Sequence, residues 1–174
     1  NDLAWFLLTA RPPDLQDPEL ARRLAERAVA ATRRSWVDAL DTLSLAEERL
    51  GRLDSAIALE SEAADLPDGL FKYSLEDRMI DLLGRRGAPE KAEQFLRRHL
   101  ARRLAVEGAD EVRSARTRQL LGVYLRRVGR LEEAEKEQRA ALATLARLRP
   151  PEDWRRVLGQ AELAATLVAT GRHP

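Results

Sequence analysis

Apolar residues recur along the chain at spacings of three and four, and glycines or prolines break the pattern at intervals that suit short helices. The clearest stretch is Leu120 to Leu142, LLGVYLRRVGRLEEAEKEQRAAL. Its pattern predicts two helices joined at Gly129-Arg130. Leu120, Leu121, Val123, Tyr124, Leu125 and Val128 precede the turn, and Leu131, Ala134, Ala141 and Leu142 follow it. A hairpin of this kind cannot bury its own apolar stripe, so it calls for copies of itself on either side.

The remaining elements follow from the same signals. Asp2 to Ala10 reads as a short helix closed by Pro12-Pro13, because proline lacks a backbone donor and restricts the residue before it. Asp17-Pro18 predicts an N-cap with proline at the first helical position. Helix two then carries Leu20, Leu24, Ala28 and Ala31 on one face. Helix three is expected over Trp36 to Leu50, with Leu40, Leu43 and Leu50 inward, and helix four over Asp54 to Leu66, stopped by Pro67 and Gly69. Helix five spans Ser74 to Arg85 with Leu75, Met79, Leu82 and Leu83, and helix six runs from Glu90 to Val106 before a break at Gly108 and Asp110. Helices seven and eight occupy Glu111 to Leu148, and a last helix follows Pro150-Pro151 from Asp153 to Thr170.

The hairpins repeat in register. Turn glycines fall at Gly51, Gly87, Gly129 and Gly171, spaced by 36, 42 and 42 residues. Five residues after the first three stand Ala56, Ala92 and Ala134, and seven further on stand Ala63, His99 and Ala141. Eight residues before each glycine stand Leu43, Met79, Leu121 and Leu163. The first unit lacks the glycine but keeps a pair of alanines, Ala21 and Ala28. Small residues let two helices approach closely, and glycine takes the positive φ that a tight helix end favours.

On these residues the chain resembles the tetratricopeptide repeat family over nearly its whole length. The resemblance rests on LDTLSLAEERLGRLDSAIALESEA (Leu40 to Ala63) and on LLGVYLRRVGRLEEAEKEQRAAL, with the Leu121-Gly122 pair and a Gly-Arg turn that appears three times. The 42-residue spacing is similar to that of the longer repeats of kinesin light chains. The opening NDLAWFLLTA and DPELARRLAERAVAA are similar to repeats in the tails of bacterial multidomain proteins, Ser/Thr kinases among them. Met79-Ile80 departs from the usual Leu-Gly, and Glu47 stands where an aromatic is more common. The resemblance implies an all-α, right-handed superhelical solenoid of antiparallel helix pairs, about four and a half repeats and nine helices. No linker or low-complexity segment divides the chain, so one domain is expected over residues 1–174. Because the chain starts at Asn1 and stops on a repeat turn, we expect it to be part of a longer one.

In this family the first helix of each pair lines a concave groove, which implies a protein- or peptide-binding scaffold. Helical spacing then picks the exposed stripe beside the leucines: Asp38, Asp41 and Leu45 on helix three, Ser74, Asp77 and Asp81 on helix five, and Arg116, Gln119, Val123 and Arg126 on helix seven. Members that grip a peptide C-terminus use Lys, Arg and Asn there, so the aspartates argue against a carboxylate clamp. The final stripe, Leu158, Ala161, Ala165 and Val168, is apolar.

Charge sharpens this picture more than composition does. The net charge of +1 argues against a dedicated nucleic-acid binder, yet Asp38 to Asp81 holds 12 acidic against 4 basic residues and Arg97 to Arg130 holds 10 arginines against 3 acids. Apart from Tyr124, no Phe, Trp or Tyr interleaves those arginines to stack bases. With 5% aromatics among its 174 residues, the core must be aliphatic and alanine-rich. The chain has no cysteine, which excludes disulfides and thiolate chemistry and fits a cytoplasmic protein, and no apolar run is long enough to span a membrane.

Catalytic material is sparse. His99 and His173 lie far apart in the repeat register, and His99 falls at an inner structural position. Gly84-Arg85-Arg86-Gly87 reads as a helix end whose arginines sit at the negative end of the dipole. No metal, cofactor or catalytic motif is called for. The expected function is a binding scaffold. The alternative is a structural or regulatory tail of a bacterial signalling protein, such as a Ser/Thr kinase, with no ligand of its own.

Overall fold

Each turn glycine closes its helix in the same way. In the computed structural model Gly51, Gly87, Gly129 and Gly171 have φ of 77°, 73°, 83° and 72°. At the first three, the glycine N–H donates to the carbonyl three residues back (Glu48, Gly84, Arg126). The next N–H reaches five residues back (Glu47, Leu83, Leu125) at 2.8–2.9 Å. This double bond pattern is the Schellman motif, which satisfies carbonyls that a helix end otherwise leaves open. The unit without a turn glycine forms the same pattern at the end of its second helix. There Arg33 and Arg34 take positive φ, and the Arg34 N–H donates to Val29 O at 2.9 Å.

The structure describes residues 1–11, 13–67, 69, 74–106 and 111–171, with the side chain of Ser74 excepted. Among them the regular elements are helices: α1 (Asp2–Thr9), α2 (Pro18–Ala31), α3 (Val37–Arg49), α4 (Leu53–Asp65), α5 (Ser74–Arg85), α6 (Pro89–Val106), α7 (Val112–Arg127), α8 (Leu131–Leu148) and α9 (Trp154–Ala169), with a 3-10 turn at Pro13–Leu15. The expected boundaries hold to within a residue or so. The breaks assigned to Pro12, Gly108 and Asp110 and the tail of Arg172, His173 and Pro174 lie outside the described residues. Asp17 caps α2 as its sequence predicts, accepting from the Leu20 N–H at 2.8 Å, and Asp153 caps α9 by accepting from the Arg155 N–H at 2.9 Å.

The helices form two compact units, Asn1–Ala92 and Glu93–Pro174, whose boundary falls one turn into α6. In the first, α1 packs on α2 and α3, α2 on α3, α3 on α4 and α4 on α5. Its core is Leu8, Ala21, Ala25, Leu40, Leu43, Ala46, Ala56, Ala63, Leu75, Met79 and Leu82. In the second, α8 packs on α7 and α9, with Leu121, Leu125, Ala134, Ala141 and Leu145 buried.

The small residues mark where backbones come close. A Cβ on Gly122 would lie 2.6 Å from Gln138 Cγ and 3.1 Å from the carbonyl oxygen of Ala134. The Leu121-Gly122 pair therefore supplies one side chain to the core and yields room for α8. Helix α2 corrects the sequence reading. Its buried stripe is Ala21, Ala25 and Val29, while Leu20, Leu24 and Ala28 are half-buried and Ala31 is exposed. The alanines take the line of closest approach, and the longer leucines cover its flanks. Leu50, also expected inward, is half-buried at the end of α3.

Two stability experiments follow. A Cβ at Gly129 meets nothing within 4 Å, so substitution there acts through φ alone. Gly129→Val should cost about 1–3 kcal/mol. Arg130→Ala removes only solvent-exposed ion pairs to Glu93 and Glu133 and should barely move the thermal midpoint. Coincident melts would contradict the left-handed turn. Ala134→Leu should overpack the α7–α8 seam by about 1–3 kcal/mol, and a melting temperature at or above wild type would remove the close-approach argument.

Candidate functional site

Helix α3 lies inside the first unit, and almost every residue from Val37 to Glu47 is buried. The expected open stripe therefore does not hold there as a whole. Asp38 is exposed, but Asp41 and Leu45 are buried. The reason is packing: α1, α2 and α4 all contact α3, which leaves only Asp38 near its start and Arg49 at its end exposed to solvent.

Asp41 instead belongs to a charged cluster centred on Arg78 of α5. Arg78 Nε lies 2.9 Å from Glu60 Oε1 and 3.2 Å from Asp41 Oδ1. Its terminal nitrogen lies 3.2 Å from Ser44 Oγ and 3.4 Å from Glu48 Oε2. Glu60 is fully buried on α4, and Ser44 Oγ donates to the carbonyl of Ala56 at 3.1 Å. One guanidinium thus ties α3, α4 and α5 together while facing three carboxylates. Burial first, and then the neighbouring Asp41 charge, pushes the Glu60 carboxyl up to about 7 against the pull of Arg78. The sequence reading missed this cluster, because Glu60 and Arg78 look like ordinary solvated helix residues until the helices pack.

Asp77 and Asp81 are exposed on α5. Asp81 pairs with Arg85 at 3.3 Å, and Arg85 also pairs with Glu48. Arg86 pairs with Asp54 at 2.6 Å. The arginines of the Gly84–Gly87 turn thus bond to neighbouring helices.

In the second unit the stripe expected on α7 faces α9. Gln119 Nε2 donates to the carbonyl of Arg155 at 3.2 Å, and Arg126 pairs with Glu162 at 2.7 Å. Gly159 is buried against Gln119, and an added Cβ would sit 2.3 Å from the amide nitrogen. Arg116 and Val123 are half-buried on the same helix. The final apolar stripe of α9 leaves Leu158 and Val168 exposed. His99 is buried and stacks on Phe95, with centroids 5.4 Å apart and planes 15° from parallel. Burial, with Arg103, Arg102 and Arg98 nearby, lowers its pKa to about 3, so the ring is neutral at ordinary pH. Among the described residues no three His, Cys, Asp or Glu side chains are grouped to hold a metal ion, and no helix is long and apolar enough to cross a membrane.

Two predicted site residues, Asp38 and Asp41, do come together in a cavity of about 440 Å³ in the first unit. Asn1, Asp2, Trp5, Trp36 and Thr42 complete its lining. The tryptophans were not singled out from sequence. Their scarcity is the signal that could have found them, since two of the chain's three stand within its first 36 residues beside aspartates.

Solved structures match this arrangement along almost the entire chain. A putative kinesin light chain with nearly identical TPR-like repeats from Podosopora anserina superposes with a TM-score of 0.68 at 18% identity, covering 98% of this chain and 84% of that one. BtubC (BKLC) from P. vanneervenii matches with a TM-score of 0.62 at 18% identity over 98% of this chain, which spans 63% of the BtubC chain. MamA from Desulfovibrio magneticus RS-1 matches with a TM-score of 0.58 at 18% identity, covering 99% of this chain and 86% of that one. The fold is a TPR-like helical repeat. No protein-family model and no curated protein sequence matches the chain. Identity at this level establishes the fold alone.

Within this TPR-like repeat, the Arg78 cluster makes stability depend on pH with a definite sign. The folded state holds the Glu60 proton more tightly than the unfolded chain does. That contribution is complete below the ordinary value of 4.5 and is lost as pH rises through about 7. His99 acts oppositely: its contribution is complete above 6.5 and is lost as pH falls toward 3. Comparing wild type with Glu60→Gln cancels the histidine term. The wild-type advantage in melting temperature should shrink steadily between about pH 4.5 and 7, and a gap that stays constant across that window would contradict a buried, proton-retaining Glu60.

Proposed function

We propose that the chain is a non-enzymatic scaffold module, acting as one piece over residues 1–174, that binds segments of partner proteins through exposed charges on its repeats. The observation that carries this reading is the division of charge between the two units. Asn1–Ala92 holds 18 acidic and 13 basic residues, a net of −5, whereas Glu93–Pro174 holds 11 acidic and 17 basic, a net of +6. A nearly neutral chain that separates its charges in this way favours oppositely charged partners on each unit and steers their approach. Of the residues expected to form the site, Asp38, Asp77 and Asp81 are exposed on the acidic unit and suit a basic segment. Arg116 and its neighbours on α7 would meet acidic residues at their half-buried edge.

The pairing of Gln119 and Arg126 with α9 favours a second reading, a structural or regulatory tail of a bacterial signalling protein, because contacts made internally are not offered to a partner. Both readings place the protein in the cytoplasm, in keeping with its lack of cysteine.

Fluorescence anisotropy with a labelled arginine-rich peptide and a glutamate-rich one separates them. On the scaffold reading the arginine peptide binds, and Asp77→Lys/Asp81→Lys weakens it by up to about tenfold, in line with exposed charge pairs. Raising the salt from about 50 to 300 mM should erase most of that difference as the Debye length shrinks. If neither peptide binds, or if affinity ignores both the charge reversal and the salt, the scaffold reading gives way to the tail.

A further inference from the structure

Helix α9 ends the second unit with one face uncovered. Trp154, Val157, Leu158 and Val168 are 57%, 53%, 44% and 58% exposed, and Ala161 and Ala165 between them are exposed as well. At the α-helical repeat all six fall on about one third of the circumference. Another face does the packing: Gly159, Thr166 and Leu167 are buried, and Glu162 meets Arg126 of α7.

The stripe departs from the chain's own pattern. Leu158, Ala161, Ala165 and Val168 stand 42 residues after Arg116, Gln119, Val123 and Arg126 of α7. Where α7 meets α9 those residues make polar contacts, Gln119 to the Arg155 carbonyl and Arg126 to Glu162. The equivalent positions of α3 and α5 include Asp38, Asp41, Asp77 and Asp81. A further helix pair joined in the same way would need hydrogen-bonding side chains at these positions of α9, and they carry none. The face calls for an apolar partner.

The order of the residues says which. Trp154, Leu158, Ala161, Ala165 and Val168 alternate spacings of four and three, as a coiled-coil seam does. From Leu158 to Val168 the seam has the same spacing read in either direction. Laid antiparallel on a copy of itself, with the two-fold axis level with Leu163, Leu158 meets Val168 and Ala161 meets Ala165. Each contact then occurs twice, as an isologous interface requires. Alanines at the crossing let the helices approach, and the larger side chains close the seam on both sides.

Charge suits this orientation. The stripe holds no charged residue, and Glu162 beside the axis is neutralised by Arg126. Arg155, already held by Asp153 and the Trp154 ring, comes level with the end of the facing helix. That end is the negative pole of the dipole, and its last turn has no basic residue. A parallel pair would set the two Arg155 side chains side by side. Large side chains present about 150–250 Å² when fully exposed, so the four leave roughly 400 Å² open on each copy. With the alanines the pair reaches about 1,000 Å², the lower end for a specific interface.

We propose that the outer stripe of α9 is a self-association surface through which two copies of this chain pair antiparallel about a two-fold axis. The proposal stands apart from the scaffold reading, whose exposed aspartates belong to the first unit.

Sedimentation equilibrium on the 174-residue chain should show a mass that rises with concentration and levels at two copies. Half-association should fall at about 10–100 μM for an interface this small. Leu158→Glu/Val168→Glu alters exposed positions only, so circular dichroism should be unchanged while dimerisation falls at least about a hundredfold. Because the chain has no cysteine, single cysteines report the register. Ala161→Cys and Ala165→Cys chains are mixed equally and oxidised, one of them labelled with heavy nitrogen so that mass spectrometry separates the products. The mixed disulfide should exceed either self-linked product about tenfold, since only that pair shares a layer. A chain that stays monomeric to about 500 μM overturns the proposal and leaves the stripe to a different protein or a further repeat. A dimer indifferent to the double substitution overturns it and points to another face, such as Leu3 and Phe6 of α1. Growth beyond two copies overturns it in favour of a head-to-tail contact, and an excess of self-linked products in favour of a parallel pair.

Discussion

Two helices joined by a short turn share one apolar seam only if their backbones come close, and every unit of this chain depends on meeting that condition. Ala56 and Ala63, Ala134 and Ala141 lie fully buried on second helices, and Gly122 gives way to Gln138 on the facing helix. The turn must reverse the chain within a few residues of the last helical bond, which the positive φ of Gly51, Gly87 and Gly129 permits. With so little aromatic bulk, the core gains its density from close backbones filled by leucine. It is therefore sensitive to added volume at the alanines and tolerant at the leucine flanks.

Close packing also forces polar groups inward. In the first unit α3 is surrounded on so many sides that Asp41, Ser44 and Glu47 are buried with the leucines. Arg78 makes this tolerable by meeting Asp41, Glu48 and Glu60 together. Such a cluster adds little net stability compared with apolar residues of the same shape, but removing one partner leaves buried charge behind, so it holds three helices in one register. In the second unit the corresponding polar contacts are lighter. Gln119 and Arg126 each bond to a residue 36 positions on, in α9. Ion pairs between Arg97 and Glu133, and between Arg130 and Glu93, connect α6 with the start of α8 at similar separations.

Function, on our reading, lies in what this packing leaves over. The exposed charges differ in sign between the units, and the outer stripe of α9 stays in water. A repeat fold suits this division of labour, because its seam residues are committed to packing while first-turn and edge residues stay free to vary.

Local chemistry settled the helices, their ends and their period. Proline and glycine act on their own φ and on their neighbours, so Pro18, Gly51 and Gly129 could be read without knowing what surrounds them. The repeat was legible for the same reason, since the spacing of small residues is a property of the chain. Exposure was not legible, because it depends on how many helices crowd each face. That is why Asp38 is exposed as expected while Asp41 and Leu45, on the same expected stripe, proved buried. It is also why Leu20 and Leu24 of α2 yielded the seam to Ala21 and Ala25. The meeting of Arg78 with Glu60, and of Trp5 with Trp36, joins residues about 20 to 30 positions apart on different helices. Only tertiary packing brings such residues together, because a helix period specifies the faces of one helix and says nothing about which neighbour each face will meet.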